Sequence, residues 1–442
     1  MAERQAGARL ARSALGVYAA QILMAVVGIG TSVITARTLG PKGRGYLALL
    51  MGFPMLVTTF VKLGIPQATV YCIRRRGASA SDVASNSLWL ALALGGTLAL
   101  ACWLGRRWIL TTVLRGAPET TFLPVLVLFP VVLMQAFFLG ILQAQERWRE
   151  YNFQQVAPSV LSLVGLAVAL LWLRTGLLGA VLVQTGVMLV VNGWLVLRIH
   201  RRAPIRLRWH TELGWEMLRF GGKSGVQTIA ASLHRSSDQY LMNFFVGAEA
   251  VGLYAVAVNL TNFLLKIPDS VGNVLYPKLA GLPEREAHAM TSRVCRLTLF
   301  ITTAAGVGYL CFGGLLIRTL YGSRFEGSIL PMQLILPGVV MMSLYLILTR
   351  NFTSRNRQAV NIVAAATALG LNVAFNCLLI PRFEAAGAAV ASGVSYSIAA
   401  LILLAVFRRE SGRTIGETVL VGPAEIGALA RGALGFGRAA TE

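Results

Sequence analysis

The sequence predicts an all-α integral membrane protein with about 12 transmembrane helices in two parallel six-helix repeats around a central cavity. The first observation is composition: 56% of the 442 residues are hydrophobic and 13% are charged, against about 25% charged in soluble domains. The second is a recurrence of apolar runs of about 20 residues, each long enough to cross the hydrocarbon core as a helix. The third is that short motifs of the first half return in the second half at a nearly constant offset.

Taken in order, the apolar runs define the spans. Their approximate positions are 15–36, 46–72, 83–104, 122–142, 154–173, 177–197, 217–246, 250–277, 294–317, 328–349, 360–380 and 385–407. The first run follows Arg4, Arg9 and Arg12, as the apolar part of a signal peptide would. It is about 22 residues long and no cleavage site follows, so we interpret it as a helix.

The longest connection, residues 198–217, falls at the midpoint of the chain. We interpret it as a linker between an N-terminal six-helix lobe (1–208) and a C-terminal six-helix lobe (209–407), followed by a cytoplasmic tail (408–442).

The charge distribution predicts the topology. The net charge is +22, but the basic residues cluster between apolar runs rather than along one helix face, so we do not expect a nucleic-acid partner. With both termini in the cytoplasm, 26 Lys and Arg fall in inner segments and 10 in outer segments, as the positive-inside rule requires. Four cations remain within the spans: Lys62, Lys223, Arg235 and Lys266.

The two halves share motifs. "LGPKGRGY" has glycines at 40 and 45, and "VGAEAVGLY" has glycines at 247 and 252, which is an offset of 207 for both. Gly179 and Gly387 lie in a second pair of similar segments at an offset of 208. Because six helices is an even number, both halves run the same way through the membrane, as in transporters with parallel repeats.

Polar residues within the seventh and eighth spans fall on narrow helix faces when each residue advances by about 100°. The seventh span places four on one face, with Arg235 beside it: Lys223, Gln227, His234 and Asp238. The eighth span places five on one face: Asn259, Asn262, Lys266, Asp269 and Asn273. The eleventh span carries Asn372 and Asn376.

Two interpretations of these residues stay open. Arg235 with Asp238, and Lys266 with Asp269, are spaced to form ion pairs that merely hold helices together. Alternatively, four cations against two acids indicate a water-filled cavity with positive potential, suited to an anionic substrate. Asn372 and Asn376 either line that cavity or form hydrogen bonds between helices.

Several classes of site are absent from the sequence. The five cysteines lack metal or redox spacing. We find no metal cluster, no nucleophile with its base and no phosphate loop, so the sequence predicts neither an enzyme nor a bound cofactor.

Three segments resemble the bacterial polysaccharide-biosynthesis flippases. They are "ARTLGPKGRGYLAL" (36–49), "DQYLMNFFVGAEAVGLYAVAVNLTNFLLKIPDSVGNVLYPKLA" (238–280) and "LIPRFEAAGAAVAS" (379–392). That family handles lipid-linked oligosaccharides for O-antigen and exopolysaccharide, within the MATE-like MOP exporter superfamily of multidrug extruders and lipid II flippases. The resemblance implies alternating access, and translocation of an undecaprenyl-diphosphate-linked oligosaccharide between the leaflets of the bacterial cytoplasmic membrane.

The resemblance also implies roles for the residues within the spans. The substrate-binding candidates are Lys62, Lys223, Arg235 and Lys266, and the ion-coupling or gating candidates are Asp238, His234 and Asp269. The expected partners are the lipid-linked oligosaccharide, membrane lipids, and the polysaccharide polymerase with its chain-length machinery. Our coupling hypothesis is that the substrate claims Arg235 from Asp238, which then takes up a proton through His234.

Rival functions are an ion-coupled small-molecule exporter, a lipid II flippase and a membrane scaffold. Exporters of cationic drugs rely on cavity carboxylates, whereas the excess here is positive. Lipid II flippases have more helices and further cations in their first two spans, where this chain has only Lys62. A scaffold leaves the cations within the membrane without a purpose.

Overall fold

Most of the residues that the structure describes are helical. The computed structural model covers residues 2–206 and 208–422, and the side chains of 2–23, 25, 223–236 and 277 lie outside the description. All regular elements in these ranges are helices. This is expected in a bilayer, because a helix satisfies its backbone hydrogen bonds internally.

The first half of the chain forms eight α-helices. Their bounds are α1 Ala2–Lys62, α2 Ile65–Arg74, α3 Ala80–Leu104, α4 Arg106–Trp108, α5 Glu119–Leu126, α6 Leu128–Ala144, α7 Trp148–Leu166 and α8 Gly176–His200. Short π-helical segments follow α4 at Ile109–Val113 and α7 at Ala167–Trp172.

The second half forms six more. Their bounds are α9 Thr211–Phe245, α10 Ala248–Gly281, α11 Glu284–Tyr321, α12 Ile329–Ser354, α13 Gln358–Ser411 and α14 Ile415–Val419. A 3₁₀ segment at Ser323–Ser328 precedes α12.

Two of the long helices are each interrupted by one residue with non-helical dihedral angles. In α1, Gly40 has φ 69° and ψ 179°, a conformation that glycine adopts without strain. Pro41 follows, and its fixed φ suits the first position of the next helical piece. In α13 the interruption is Glu384, with φ 50° and ψ −128°, three residues after Pro381. The two interruptions fall between predicted spans.

Nine helices of the described chain are long and apolar enough to cross a membrane. Val26–Lys62 and Gln358–Ser411 each count once among the nine despite their interruptions. Large apolar side chains such as Trp172, Leu378 and Phe312 are exposed, as expected for helices that face lipid. These observations confirm a multi-pass, all-α membrane protein, and the count of twelve remains a prediction.

The chain divides into two compact units. Of the described residues, the first comprises 2–206, 208–257, 315–331 and 373–388. Within it, α2, α3, α6, α8 and the start of α9 share a core that includes Phe137, Phe138 and Met217.

Of the described residues, the second unit comprises 258–314, 332–372 and 389–422. Its own core includes Phe352 and Phe407, together with leucines of α10 and α12. The boundaries of the predicted lobes, 1–208 and 209–407, differ from those of these two units, and the lobes remain a prediction.

Candidate functional site

The polar face predicted for the eighth span is open. On α10, Asn262, Lys266 and Asn273 are exposed, and Asn259 and Asp269 are partly exposed. The other side of the same helix is apolar and packed, and its buried leucines are Leu260, Leu264, Leu275 and Leu279. A Lys and several amides are costly against hydrocarbon. The face is therefore chemically suited to water or to a polar ligand.

Lys62 lies where a helix breaks. It is the last residue of α1, and Leu63 then adopts φ 47° before α2 begins. The backbone N–H of Gly64 donates to the carbonyl of Gly221 on α9 over 2.8 Å. This tight approach depends on Gly221, because a Cβ there would come 3.0 Å from the Ile65 nitrogen. Lys62 therefore lies at a helix end whose following residues are hydrogen-bonded to α9.

Asp269 pairs with a residue that the sequence did not predict for the site. Arg350, near the end of α12, donates through a terminal guanidinium nitrogen to Oδ1 of Asp269 over 3.1 Å. The two side chains are 33% and 44% exposed. Gly272, one turn after Asp269, makes room for the arginine, since a Cβ there would lie 3.3 Å from Arg350 Cγ. The predicted alternative of a Lys266–Asp269 pair is replaced by an Arg350–Asp269 pair.

Asp238 is the most enclosed of the predicted acids, with 4% of its surface exposed. The hydroxyl of Tyr254 on α10 donates to Oδ2 over 2.8 Å. The side-chain amide of Asn376 on α13 donates to Oδ1, also over 2.8 Å. Both donors are neutral, so the carboxylate charge receives hydrogen bonds from two helices without a countercharge from either donor.

The two asparagines of the eleventh span both bond across helical segments. Asn376 holds Asp238 as described, and Asn372 donates to the hydroxyl of Ser392 over 3.3 Å. Both asparagines are fully buried. Of the two interpretations offered for them, these contacts favour hydrogen bonds between helical segments.

Four of the predicted site residues have side chains outside the described part of the structure. Lys223, Gln227, His234 and Arg235 lie in the stretch 223–236, outside the described side chains. The predicted Arg235–Asp238 pair and the proposed proton relay through His234 therefore stay predictions.

A separate cleft of about 890 Å³ opens between the end of α2 and the start of α9. Tyr71 and Phe220 stack along it with ring centroids 4.6 Å apart. Arg76 bridges to Glu216 over 2.8 Å at its rim. None of the predicted site residues whose side chains are described lines this cleft.

Sequence reasoning missed Arg350 and Tyr254. Arg350 was assigned to a cytoplasmic segment by its place at the end of an apolar run, and only packing brings it to Asp269. Tyr254 lies two residues after the repeated Gly252, but its counterpart in the first half is Leu47, so the repeat gave no signal for it. No group of three or more His, Cys, Asp or Glu within the described residues is placed to hold a metal ion.

The comparison with known families identifies a large part of the chain. Residues 10–282 match the family described as polysaccharide biosynthesis protein. Over 179 residues the chain is 21% identical to the probable low-salt glycan biosynthesis flippase Agl15 of Haloferax volcanii. That alignment covers 40% of this chain and 38% of the relative, so the chain matches well under half of the relative's length.

Solved membrane transporters share the fold. The lipid II flippase MurJ, in an inward closed conformation, superposes with a TM-score of 0.74 at 14% identity over 89% of each chain. An inward-facing multidrug resistance MATE transporter of the MOP superfamily gives 0.70 at 16% identity, over 88% of this chain and 95% of that one. The Vibrio cholerae MATE transporter VcmN in its bent form gives 0.60 at 14% identity, over 92% and 98%.

Each of these proteins is described as a flippase or a transporter. At such identities the structural likeness establishes the fold, that of the MOP-superfamily transporters. The family match extends over more than half of the sequence and confirms the resemblance predicted from the motifs. The chain belongs to the polysaccharide biosynthesis protein family.

Proposed function

We propose that this protein is a flippase that moves an undecaprenyl-diphosphate-linked oligosaccharide from the inner to the outer leaflet of the bacterial cytoplasmic membrane. The observation that carries the proposal is the open face of α10, where Lys266 lies among Asn259, Asn262 and Asn273. A cation attracts a diphosphate, and amides suit sugar hydroxyls. Apolar packing on the other side of the helix leaves this face for the substrate.

The other proposed ligands of the diphosphate are Lys62, Lys223 and Arg235. Lys62 supports the idea because the helix break after it fixes its position close to the backbone of α9. The lipid tail would remain in the bilayer while the charged headgroup follows these side chains. The polysaccharide polymerase and chain-length machinery are the proposed partners on the receiving side.

Twelve spans in two six-helix repeats are part of the proposal. The interruptions at Gly40 and Glu384 support it, because each divides a long helix into two pieces of membrane-spanning length. The proposed lobes remain 1–208 and 209–407, with both termini and the 198–217 linker in the cytoplasm.

Cysteine labelling tests this topology. In a protein with the exposed Cys311 and Cys377 replaced by Ala, Lys42→Cys should react with a membrane-impermeant maleimide added to intact cells. Pro204→Cys should react only after the cells are opened. The reverse pattern would overturn the proposed orientation.

Reconstitution tests the function itself. Vesicles containing the purified protein and a lipid-linked oligosaccharide diphosphate should present that lipid on both leaflets, as measured by an added sugar-modifying enzyme. Lys266→Ala should slow this transfer at least about tenfold, because one charge-assisted contact is worth roughly 1.5–3 kcal/mol. The triple alanine variant with Lys62 and Lys223 should abolish it.

Lys278→Ala is the matched control. Lys278 is also an exposed lysine of α10, but it lies at the helix end near the predicted cytoplasmic side. Full transfer by the triple variant would contradict the anion-binding role of the three lysines. If Lys278→Ala slowed transfer as much as Lys266→Ala does, binding could not be assigned to the face of α10 that carries Lys266.

Lipid II is the second candidate substrate, and the TM-score of 0.74 with a lipid II flippase favours it. The same vesicles decide the matter when loaded with lipid II in place of the oligosaccharide lipid. Transfer of lipid II alone would assign a peptidoglycan role, and transport of small cations alone would assign an exporter.

A further inference from the structure

The two repeated glycine motifs, one in each half of the sequence, meet each other in the structure. Gly40 ends the first piece of α1 and Gly247, with φ 128°, precedes α10. Helical structure then restarts at Pro41 in one motif and at Ala248 in the other. All of these residues lie in the first compact unit, on the side of the membrane that the topology proposal makes the outer side.

The contact between the two motifs is reciprocal. A Cβ on Gly45 would overlap the carbonyl oxygen of Ala248 and lie 3.0 Å from the nitrogen of Gly252. A Cβ on Gly252 would overlap the carbonyl oxygen of Pro41 and lie 3.1 Å from the nitrogen of Gly45. Positions 41 and 248 are related by the same offset as 45 and 252. Each motif therefore offers a bare glycine to the other's carbonyl, as in a two-fold symmetric interface.

The neighbouring contacts are similar, although Gly116 and Gly327 are 211 residues apart and so do not keep the offset of 207. Next to Gly45, the hydroxyl of Tyr46 lies 2.6 Å from where a Cβ of Gly116 would be. The counterpart of Tyr46 in the second motif is Leu253, whose Cδ1 lies 2.9 Å from the corresponding position of Gly327.

Two side chains cap equivalent carbonyls beside the glycines. The amide of Asn243 donates to the carbonyl of Val113 over 3.0 Å, and Nε of Arg37 donates to that of Leu320 over 2.7 Å. Positions 113 and 320 are again related by the offset of the two motifs. The two accepting carbonyls are thus equivalent in the two halves, whereas the donors Asn243 and Arg37 are not.

We infer that Gly45 and Gly252 are the positions that determine closure of the transport pathway on the outer side. This rests on the proposed function, because a flippase that loads from the cytoplasm must close its outer end. Backbone meets backbone at both glycines, so no side chain has to move aside at this contact when the two motifs approach. The space is filled completely, so one added methyl group on either glycine holds the motifs apart.

A crosslinking experiment tests the inference. With Cys311 and Cys377 replaced by Ala, the pair Arg37→Cys and Leu320→Cys is treated with a bifunctional thiol reagent about as long as an arginine side chain. Crosslinking measures closure, because Arg37 reaches Leu320 in this conformation. Gly45→Ala or Gly252→Ala on this background should lower the initial crosslinking rate about tenfold or more, as an overpacked contact would. Glycan translocation in vesicles should fall in parallel.

Gly186→Ala is the matched control, because no atom lies within 4 Å of the place that its new methyl group would occupy; it should leave crosslinking and translocation unchanged. Full crosslinking in both Gly45→Ala and Gly252→Ala would overturn the inference, even if translocation is lost. Gly45→Ala adds the methyl group to the first motif and Gly252→Ala adds it to the second. If one variant folds poorly, the other still tests the inference. A parent protein that crosslinks normally but translocates no glycan lipid would refute the proposed function alone.

Discussion

Asp238 and Asp269 were predicted for one role, yet the structure places them in opposite environments. Asp238 is buried and receives hydrogen bonds from the neutral donors Tyr254 and Asn376. Asp269 is 44% exposed and pairs with the guanidinium of Arg350. One carboxylate is held by dipoles from two other helices, and the other by a charge on a neighbouring helix.

The different environments of the two carboxylates indicate which of them is suited to ion coupling and which to holding helices together. A partly exposed ion pair contributes little, because water and salt screen both partners. A buried carboxylate has little water around it to screen its charge, so it interacts more strongly with the groups that contact it than an exposed carboxylate does. Because Asp238 is buried and Asp269 is partly exposed, we propose that Asp238, rather than Asp269, couples translocation to an ion gradient.

The largest expected effect comes from removing the Asp238 charge. Asp238→Asn keeps the shape and most of the hydrogen-bonding capacity, so the protein should still insert and fold. Translocation should fall at least about tenfold, and its dependence on the proton or cation gradient should disappear. Vesicles with and without an imposed gradient measure both. Asp269→Asn is the control, and equal losses in the two variants would end the distinction.

A smaller effect is expected from one donor of Asp238. Tyr254→Phe removes the hydroxyl that binds Oδ2 and costs the folded state about 1–3 kcal/mol. Translocation should fall several-fold while gradient dependence persists. Tyr276→Phe, an exposed tyrosine of the same helix, should change neither. Thermal unfolding in detergent gives the stability difference, and unchanged stability in Tyr254→Phe would contradict the hydrogen bond.

A weaker effect still is expected at the ion pair. A double-mutant cycle of Asp269→Asn and Arg350→Gln should give a coupling of about 0.5–1 kcal/mol, because both side chains are partly exposed. The coupling should shrink as salt is raised. A coupling energy that stays constant as salt is raised would show that the Asp269–Arg350 pair is shielded from solvent. The environments of Asp269 and Asp238 would then be more alike than the exposure of the two side chains indicates.

The smallest effect is expected at Glu417. Like Asp238 it accepts hydrogen bonds from neutral donors, but like Asp269 it is exposed to solvent, so it separates the effect of the donor from the effect of burial. The backbone N–H of Thr414 donates to its carboxylate over 2.8 Å and lowers the pKa of Glu417 below its ordinary value. A depressed folded-state pKa stabilises α14 above the unfolded value of about 4.3. That stabilisation is lost as the pH falls through the folded-state pKa.

Amide hydrogen exchange of residues 415–419 measures the effect, after correction for intrinsic rates. At pH 7, Glu417→Gln should exchange faster than the parent protein, and the two should converge in acid. A difference that persists in acid would assign the effect to the shape of the side chain rather than to its charge.

Much of the fold is predictable because the bilayer reduces the choices. Apolar runs in lipid become helices, and the predicted gaps at residues 37–45 and 381–384 coincide with the interruptions at Gly40 and Glu384. The open face of α10 also follows from helical periodicity alone, since Asn262, Lys266 and Asn273 recur at helix spacing. Partner choice does not follow, because spacing in one helix says nothing about which neighbouring helix comes close.

The sequence by itself determined the membrane class, the long apolar helices, the family and the constant offset between the repeated motifs. Each of these depends on local composition or on a repeated string. Only the tertiary structure decided that Asp269 pairs with Arg350, that Tyr254 and Asn376 hold Asp238, and that the repeated glycines face each other. Hydrogen bonds and steric contacts act over a few ångströms. Most of the residues they join lie far apart along the chain, so packing alone selects them.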